Sequence, residues 1–306
     1  MYVRPTAPRS IGGVLDDGLR LWRDSLPETW RLALLGQLLI AVPLVLFRLE
    51  LTGVPALPTP SSMSAANAAN AQLMLAMMKS PVFLLTYVVV VLAAIGFYNA
   101  ILLRVAAVST NTAMSIGGAL ASGFRLLPRV IWLGIILLLG LFVIALVLGI
   151  VAAVAGGSGG LMGGEKSPLP TFLTMIALVV FFAFLLGRLV LAGVALIVKD
   201  AGAIESLKVS WALTRGHLWR CSAILTVLII IGVVLAIVVA FVNGLIAVSL
   251  GPTSLISVTV TQILSIVTNT VLGPLYPAVL LTIFDDLKLR KEGGDLASRV
   301  NALTPS

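Results

Sequence analysis

Histidine and cysteine occur once each in 306 residues, as His217 and Cys221, and only 12 residues are acidic. A lone thiol excludes an internal disulfide, and a lone imidazole without neighbouring ligand residues does not make a metal site. No Asp or Glu lies deep in an apolar run, which argues against a proton- or sodium-coupled carrier of the usual kind. A serine hydrolase needs a base beside its nucleophile, and His217 lies at the wrong depth for most serines of the apolar runs. The glycine-rich stretch Gly156 to Gly164 lacks the lysine and the helix context of a phosphate-cradling loop. The expectation is a protein that is not an enzyme and holds no cofactor or metal.

Charge of either sign is scarce: 10% of residues are charged, 59% are hydrophobic and the mean hydropathy is +1.14. Soluble domains carry about 25% charged residues, so this chain cannot cover its Leu, Val, Ile and Ala with polar surface and belongs in a bilayer. The net charge of +8 is spread along the margins of apolar runs and forms no stripe with interleaved aromatics. Nucleic acid is therefore not an expected partner, and the charge reads as a topology signal.

Apolar runs at 30–49, 81–108, 129–155, 170–198, 219–250 and 255–284 each reach the roughly 20 residues that cross a membrane. Six spans are expected, with kinks at Gly273-Pro274 and Pro277, where proline removes a backbone donor. Sixteen Lys and Arg fall before the first span, in alternate connections and after the last, against three (Arg48, Lys79, Lys166) on the other side. That asymmetry places both termini in the cytoplasm of a multi-pass protein. Trp22, Trp30, Trp132, Trp211 and Trp219 all fall on the same side, at amphipathic segments or span starts, where an indole keeps its ring apolar and its N–H wet. No small-residue cleavage site follows the first apolar run, so the first span is expected to remain as an anchor.

One pattern recurs ahead of the apolar runs. Ser10-Ile11-Gly12-Gly13-Val14-Leu15-Asp16-Asp17-Gly18-Leu19-Arg20-Leu21 returns as Ser115-Ile116-Gly117-Gly118-Ala119-Leu120-Ala121-Ser122-Gly123-Phe124-Arg125-Leu126, and more loosely as Gly202 to Leu213. The expected fold class is all-α, a polytopic membrane protein in which an amphipathic helix plus two spans occurs three times. The units run 10–108, 113–198 and 201–284, with 285–306 as a cytoplasmic tail. In the first amphipathic segment Ile11, Val14, Leu15, Leu19, Trp22 and Leu26 share one helical face, which suits a helix along the inner leaflet. The two longer outside connections, 50–80 with Pro55, Pro58 and Pro60, and 156–170 with Pro168 and Pro170, carry no binding signature.

Two sets of candidate residues follow. Arg125, Arg215, His217 and Arg220, with Trp211 and Trp219 to set depth, form a cationic and aromatic rim suited to lipid phosphate, although interfacial anchoring accounts for the same residues. Arg188 stands inside the fourth apolar run, where a guanidinium costs about 2.5–3.5 kcal/mol unless it snorkels, meets a carbonyl or faces a wet cavity. Gln262, Ser265 and Asn269 lie on one face of the last span and either line a polar path or bond neighbouring helices.

The segment Ala203-Ile204-Glu205-Ser206-Leu207-Lys208-Val209-Ser210-Trp211-Ala212-Leu213-Thr214-Arg215-Gly216-His217-Leu218-Trp219-Arg220 and the ending Thr282-Ile283-Phe284-Asp285-Asp286-Leu287-Lys288-Leu289-Arg290-Lys291-Glu292-Gly293-Gly294-Asp295-Leu296 resemble the bacterial membrane domain attached to some glycerophosphoryl diester phosphodiesterases. The aromatic pair usual before the acidic ending reads Ile283-Phe284 here. The resemblance implies a bacterial inner-membrane protein connected with lipids or lipid-derived polymers; the hydrolase domain, with its His and acidic metal ligands, has no counterpart. The function expected is a non-catalytic membrane-organising or accessory protein whose partners are membrane lipids and a membrane protein. The alternative is a transporter or lipid translocator with a polar path near Arg188 and the last span.

Overall fold

The computed structural model describes residues 2–52, 79–155, 184–185, 187–251 and 254–303, which are helical apart from short turns and contain no strand. Nine helices stand among the described residues: α1 Ile11–Thr52, α2 Pro81–Ser109, α3 Ile116–Arg125, α4 Leu127–Ala155, α5 Ala192–Val198, α6 Ala203–Thr214, α7 Leu218–Leu250, α8 Leu255–Leu272 and α9 Leu275–Leu303. Their starts follow from local chemistry. The hydroxyls of Ser10, Ser80, Ser115 and Ser254 accept from the backbone N–H three residues on, at 3.1, 3.3, 3.0 and 3.1 Å, which satisfies donors that the helix itself leaves open. Gly202 caps α6 without a side chain, and Glu205 in the first turn supplies negative charge at the positive end of the helix dipole.

Four described helices or helix pairs are long and apolar enough to cross a membrane: Pro81–Ser109, Leu127–Val147, Leu218–Leu250 and Thr259–Lys291. The expectation of six spans is thus met in four places. The span expected at 30–49 is the second half of α1, which runs unbroken from the amphipathic segment for 42 residues. Of the span expected at 170–198, residues 170–183 and 186 lie outside the described residues, and the rest is interrupted by a turn at Val190–Leu191. Most of 50–80 and all of 156–170 also lie outside them. The window of Leu127–Val147 is 6% buried and that of Leu218–Leu250 11%, against 56% for Thr259–Lys291. Helices that turn so much Leu, Ile and Val outward are stable in hydrocarbon, not in water.

Gly273-Pro274 separates α8 from α9, as the loss of a backbone donor predicts. Pro277 does not break α9, because it lies in the first turn, where no donor is required. The residues expected as a tail from 285 onward continue α9 instead. Asp285, Asp286 and Leu287 are buried, and the first two carry the ion pairs described below.

The described residues divide into two units, one drawn from Met1–Trp22, Pro128–Val234 and Tyr276–Ser306, the other from Arg23–Leu127 and Leu235–Leu275. In the first, α1 crosses α9 so closely that a methyl on Gly18 would stand 2.9 Å from Val279 Cγ2 and 3.2 Å from Thr282 Oγ1. In the same unit α6 crosses the segment around Arg188, where Ser210 Oγ donates to the Arg188 carbonyl at 2.6 Å. In the second, α3 crosses α2. A methyl on Gly123 would meet the Gly96 carbonyl oxygen at 2.6 Å and Ala100 N at 2.8 Å, and Asn99 Nδ2 donates to the Gly123 carbonyl at 3.2 Å.

Gly18, Gly123 and Ser210 each follow their helix-capping residue by eight positions, and all three are buried. So are Val14, Ala119 and Ser206 four positions after the cap, and Leu21, Leu126 and Leu213 eleven after it. This spacing is one helix face. The face that packs in α1 is therefore not the whole apolar stripe read from the sequence. Ile11 and Leu19 are exposed while Val14, Asp17, Leu21 and Ser25 are buried, so only part of the stripe packs against protein and Ile11 and Leu19 are left outward, as suits a helix lying at a leaflet.

Gly123→Ala is expected to lower the melting temperature of the detergent-solubilised protein, at a cost of about 1–3 kcal/mol, because backbone atoms on α2 cannot yield to the methyl. Gly134→Ala meets nothing within 4 Å and should leave the melting temperature unchanged or higher. Equal stability of the two variants would contradict the close crossing.

Candidate functional site

The first unit holds two groups of charged side chains with opposite character. In one, the two buried carboxylates of α9 are answered. Asp285 and Asp286 on α9 are each only 5% exposed at the side chain. Asp285 accepts two bonds from Arg4, one of them from Nε at 2.9 Å. Asp286 accepts from Arg220 Nε at 3.1 Å, from Arg290 Nε at 3.0 Å and from the backbone N–H of Arg9 at 2.8 Å. The Arg9 carbonyl in turn accepts from Arg290 at 2.6 Å and from Arg220. Residues 2–9, which have no regular structure, are thereby fastened to α9 and to the start of α7.

A cleft of about 10 Å³, the size of one water, lies inside this group between Tyr2, Asp17, Asp285 and Asp286. The Tyr2 hydroxyl and one Asp17 oxygen are buried there without a hydrogen-bond partner among the described residues. Burial, followed by the negative charges of Asp17 and Asp285, pushes the Tyr2 hydroxyl up to about 12. Burial also raises the Asp17 carboxyl above its ordinary value, against the pull of Arg9 and Arg20.

In the other group a half-buried guanidinium has two enclosed nitrogens without an acceptor among the described residues. The Arg188 guanidinium carbon stands 4.8 Å from the ring centre of Trp211 and 5.4 Å from that of Phe184. The two rings meet edge to face, 6.4 Å apart at 81°, so the cation sits in the corner between them. Phe184 is one helical turn before Arg188, and Trp211 is brought across by the Ser210 bond. Gly187 permits the approach of α7, since a methyl there would stand 2.9 Å from Ser222 Oγ. Nε and NH1 of Arg188 are buried with no acceptor among the described residues. Two rings offset part of the charge, about 0.5–2 kcal/mol each, but accept no conventional hydrogen bond. An unmet buried donor costs about 1–3 kcal/mol.

The remaining candidates are dispersed. Arg215 caps α6 and is exposed, Gly216 follows at a φ of +87°, and the His217 N–H closes the turn on the Thr214 carbonyl at 3.1 Å. Trp219 is 87% exposed and Trp211 44%. Arg220, read from the sequence as a headgroup contact, is instead directed into the Asp286 group. Arg125, in the second unit, lies exposed in the last turn of α3. Gln262, Ser265 and Asn269 are also in the second unit, where Asn269 Nδ2 donates to the Ser265 carbonyl at 2.9 Å and to its hydroxyl at 3.3 Å.

Three residues carry weight that sequence reasoning gave them no role for. Asp285 and Asp286 are one pair. The third is Arg104 in the second unit, 7% exposed at its side chain, which is paired with Glu28 and donates to the Met114 carbonyl at 2.7 Å. The only signal for it was an arginine near the end of an apolar run.

The model of a family described as a domain of unknown function (DUF7847) matches residues 32–287, and the chain belongs to that family. No curated protein and no solved structure matches the chain. Nothing in the family's description links it to the phosphodiesterase membrane domain.

Asp286→Asn should cost about 3–5 kcal/mol, since it strands two guanidinium groups, and should open the Arg9–Ser10 bond to trypsin. Asp16→Asn, which removes an exposed pair with Arg20, should cost at most about 0.5 kcal/mol. Melting curves and limited digestion read both, and wild-type resistance in Asp286→Asn would contradict the fastening role. The raised carboxyl of Asp17 has a different consequence. A carboxyl with a higher pKa folded than unfolded destabilises the fold when ionised, fully above the folded value, and ceases to do so below the unfolded one. Asp17→Asn should thus be at least as stable as wild type at pH 7, with the advantage fading as pH falls. Lower stability at pH 7 would show that attraction to Arg9 outweighs burial.

Proposed function

We propose that this member of the DUF7847 family is a non-catalytic protein of the bacterial inner membrane, built from three repeated units with six spans and both termini in the cytoplasm. It organises the membrane or assists a partner protein by contacting phosphate-bearing lipid headgroups at the cytoplasmic face. The observation that carries this reading is the turn between α6 and α7, where the exposed rings of Trp211 and Trp219 flank the exposed Arg215. Aromatic rings beside cations at a helix end are the usual furniture of a membrane interface.

The equal burial at the fourth, eighth and eleventh positions after each cap supports the triplication, and the distribution of Lys and Arg supports the orientation. The headgroup contacts are Arg215 and Arg125, with His217 beside the first. Arg220 belongs to the scaffold. Translocation along Arg188 and the last span has weaker support, because the amide of Asn269 is bound to Ser265 within its own helix.

Replacing Arg215 and Arg125 by alanine should weaken retention of phosphatidylglycerol in native mass spectrometry by about fivefold per arginine, from roughly 1 kcal/mol each. Phosphatidylcholine should be retained as by the wild type. Unchanged retention of both lipids would sink the proposal.

A further inference from the structure

We infer that the corner formed by Arg188, Phe184 and Trp211 binds one phosphate group, supplied by an anionic phospholipid. The inference rests on the headgroup reading above and adds to it a specific seat, centred on Arg188 with the exposed Arg215 only at its margin. Elsewhere the protein gives its enclosed guanidinium groups an oxygen acceptor: Glu28 and the Met114 carbonyl for Arg104, Asp286 and the Arg9 carbonyl for Arg220. Arg188 has two enclosed N–H-bearing nitrogens and no such acceptor among the described residues. The rings hold its charge in place, while its own carbonyl is taken by Ser210. A planar donor held in this way and lacking its acceptor is complementary to an oxyanion.

The approach to the corner says which oxyanion. Phe184 is 37% exposed and Trp211 44%, so the way in is rimmed by aromatic carbon, which repels a fully hydrated ion and accepts an amphiphile. Lys208 and Arg215, three residues before and four after Trp211, lie exposed along the same side of α6, with Ile204 beyond Lys208. A phospholipid satisfies all of these at once, its phosphodiester on Arg188, its polar margin toward Lys208 and Arg215, and its acyl carbon against Phe184 and Ile204.

The test titrates phosphatidylglycerol onto delipidated, full-length protein in detergent, reading bound lipid by native mass spectrometry and the lipid-induced rise in melting temperature. Arg188→Gln should weaken the first bound lipid by about tenfold or more and abolish that rise. Arg215→Ala should weaken binding only about fivefold. Wild-type binding by Arg188→Gln overturns the inference; if Arg215→Ala still weakens retention, the broader headgroup reading survives, and if neither variant matters both fall. Inorganic phosphate should not compete, and competition at millimolar concentration would overturn the lipid as the source. Should Arg188→Gln fail to fold, Arg188→Lys decides. It keeps the cation between the rings but removes the planar fork, so a loss of the first lipid supports the seat and full retention overturns it.

Discussion

Two adjacent carboxylates hold the first unit together. Among the described residues, Asp285 and Asp286 lie on the one spanning stretch that is largely enclosed by protein, and ionised groups in such a place are tolerated only when their lone pairs are filled. Arg4, Arg220, Arg290 and the backbone of Arg9 fill them. The start of the chain, the start of α7 and the middle of α9 are thereby brought to one point, although hundreds of residues separate the first from the last. The same rule operates in the second unit, where Arg104 is answered by Glu28 and a carbonyl. Against this background Arg188 stands apart, with aromatic faces in place of oxygen.

Between helices, small residues take over the role that charge plays at the node. Inside a bilayer the hydrophobic effect does not draw helices together, so close contact depends on van der Waals packing and on short polar bonds across the crossing. Gly18, Gly123 and Ser210 meet that demand in three ways: a glycine against a valine and a threonine, a glycine against backbone, and a serine that replaces empty space with a hydrogen bond to a carbonyl. The third solution fixes the segment carrying Arg188 to the helix carrying Trp211, so a packing device also builds the aromatic corner.

Much of this was legible from the residues because it is local. The pattern that recurs from Ser10 and Ser115, the break at Gly273-Pro274 and the oddity of a guanidinium at position 188 each depend on a few neighbours. The membrane class depends only on composition. What escaped the sequence depends on pairs far apart: Arg220 with Asp286, 66 residues away, and Arg104 with Glu28, 76 away. Charged residues after Phe284 read as a solvated tail because nothing local distinguishes a buried aspartate from a free one. The apolar stripe of α1, read as a face along the inner leaflet, is split: Ile11 and Leu19 are exposed while Val14 is buried. Protein contact falls to the face that carries Val14, Gly18 and Leu21, which local periodicity does not single out.

The fastening of residues 2–9 has one property that side-chain contacts lack. Asp286 and its arginines grip position 9 through its amide hydrogen and its carbonyl oxygen, atoms common to every amino acid but proline. What the clamp recognises is thus a place along the thread, counted from Ser10, and not a chemical identity. A substitution at position 9 therefore leaves this grip intact, whereas inserting a residue directly before Ser10, or deleting position 9, would put the wrong peptide group in it.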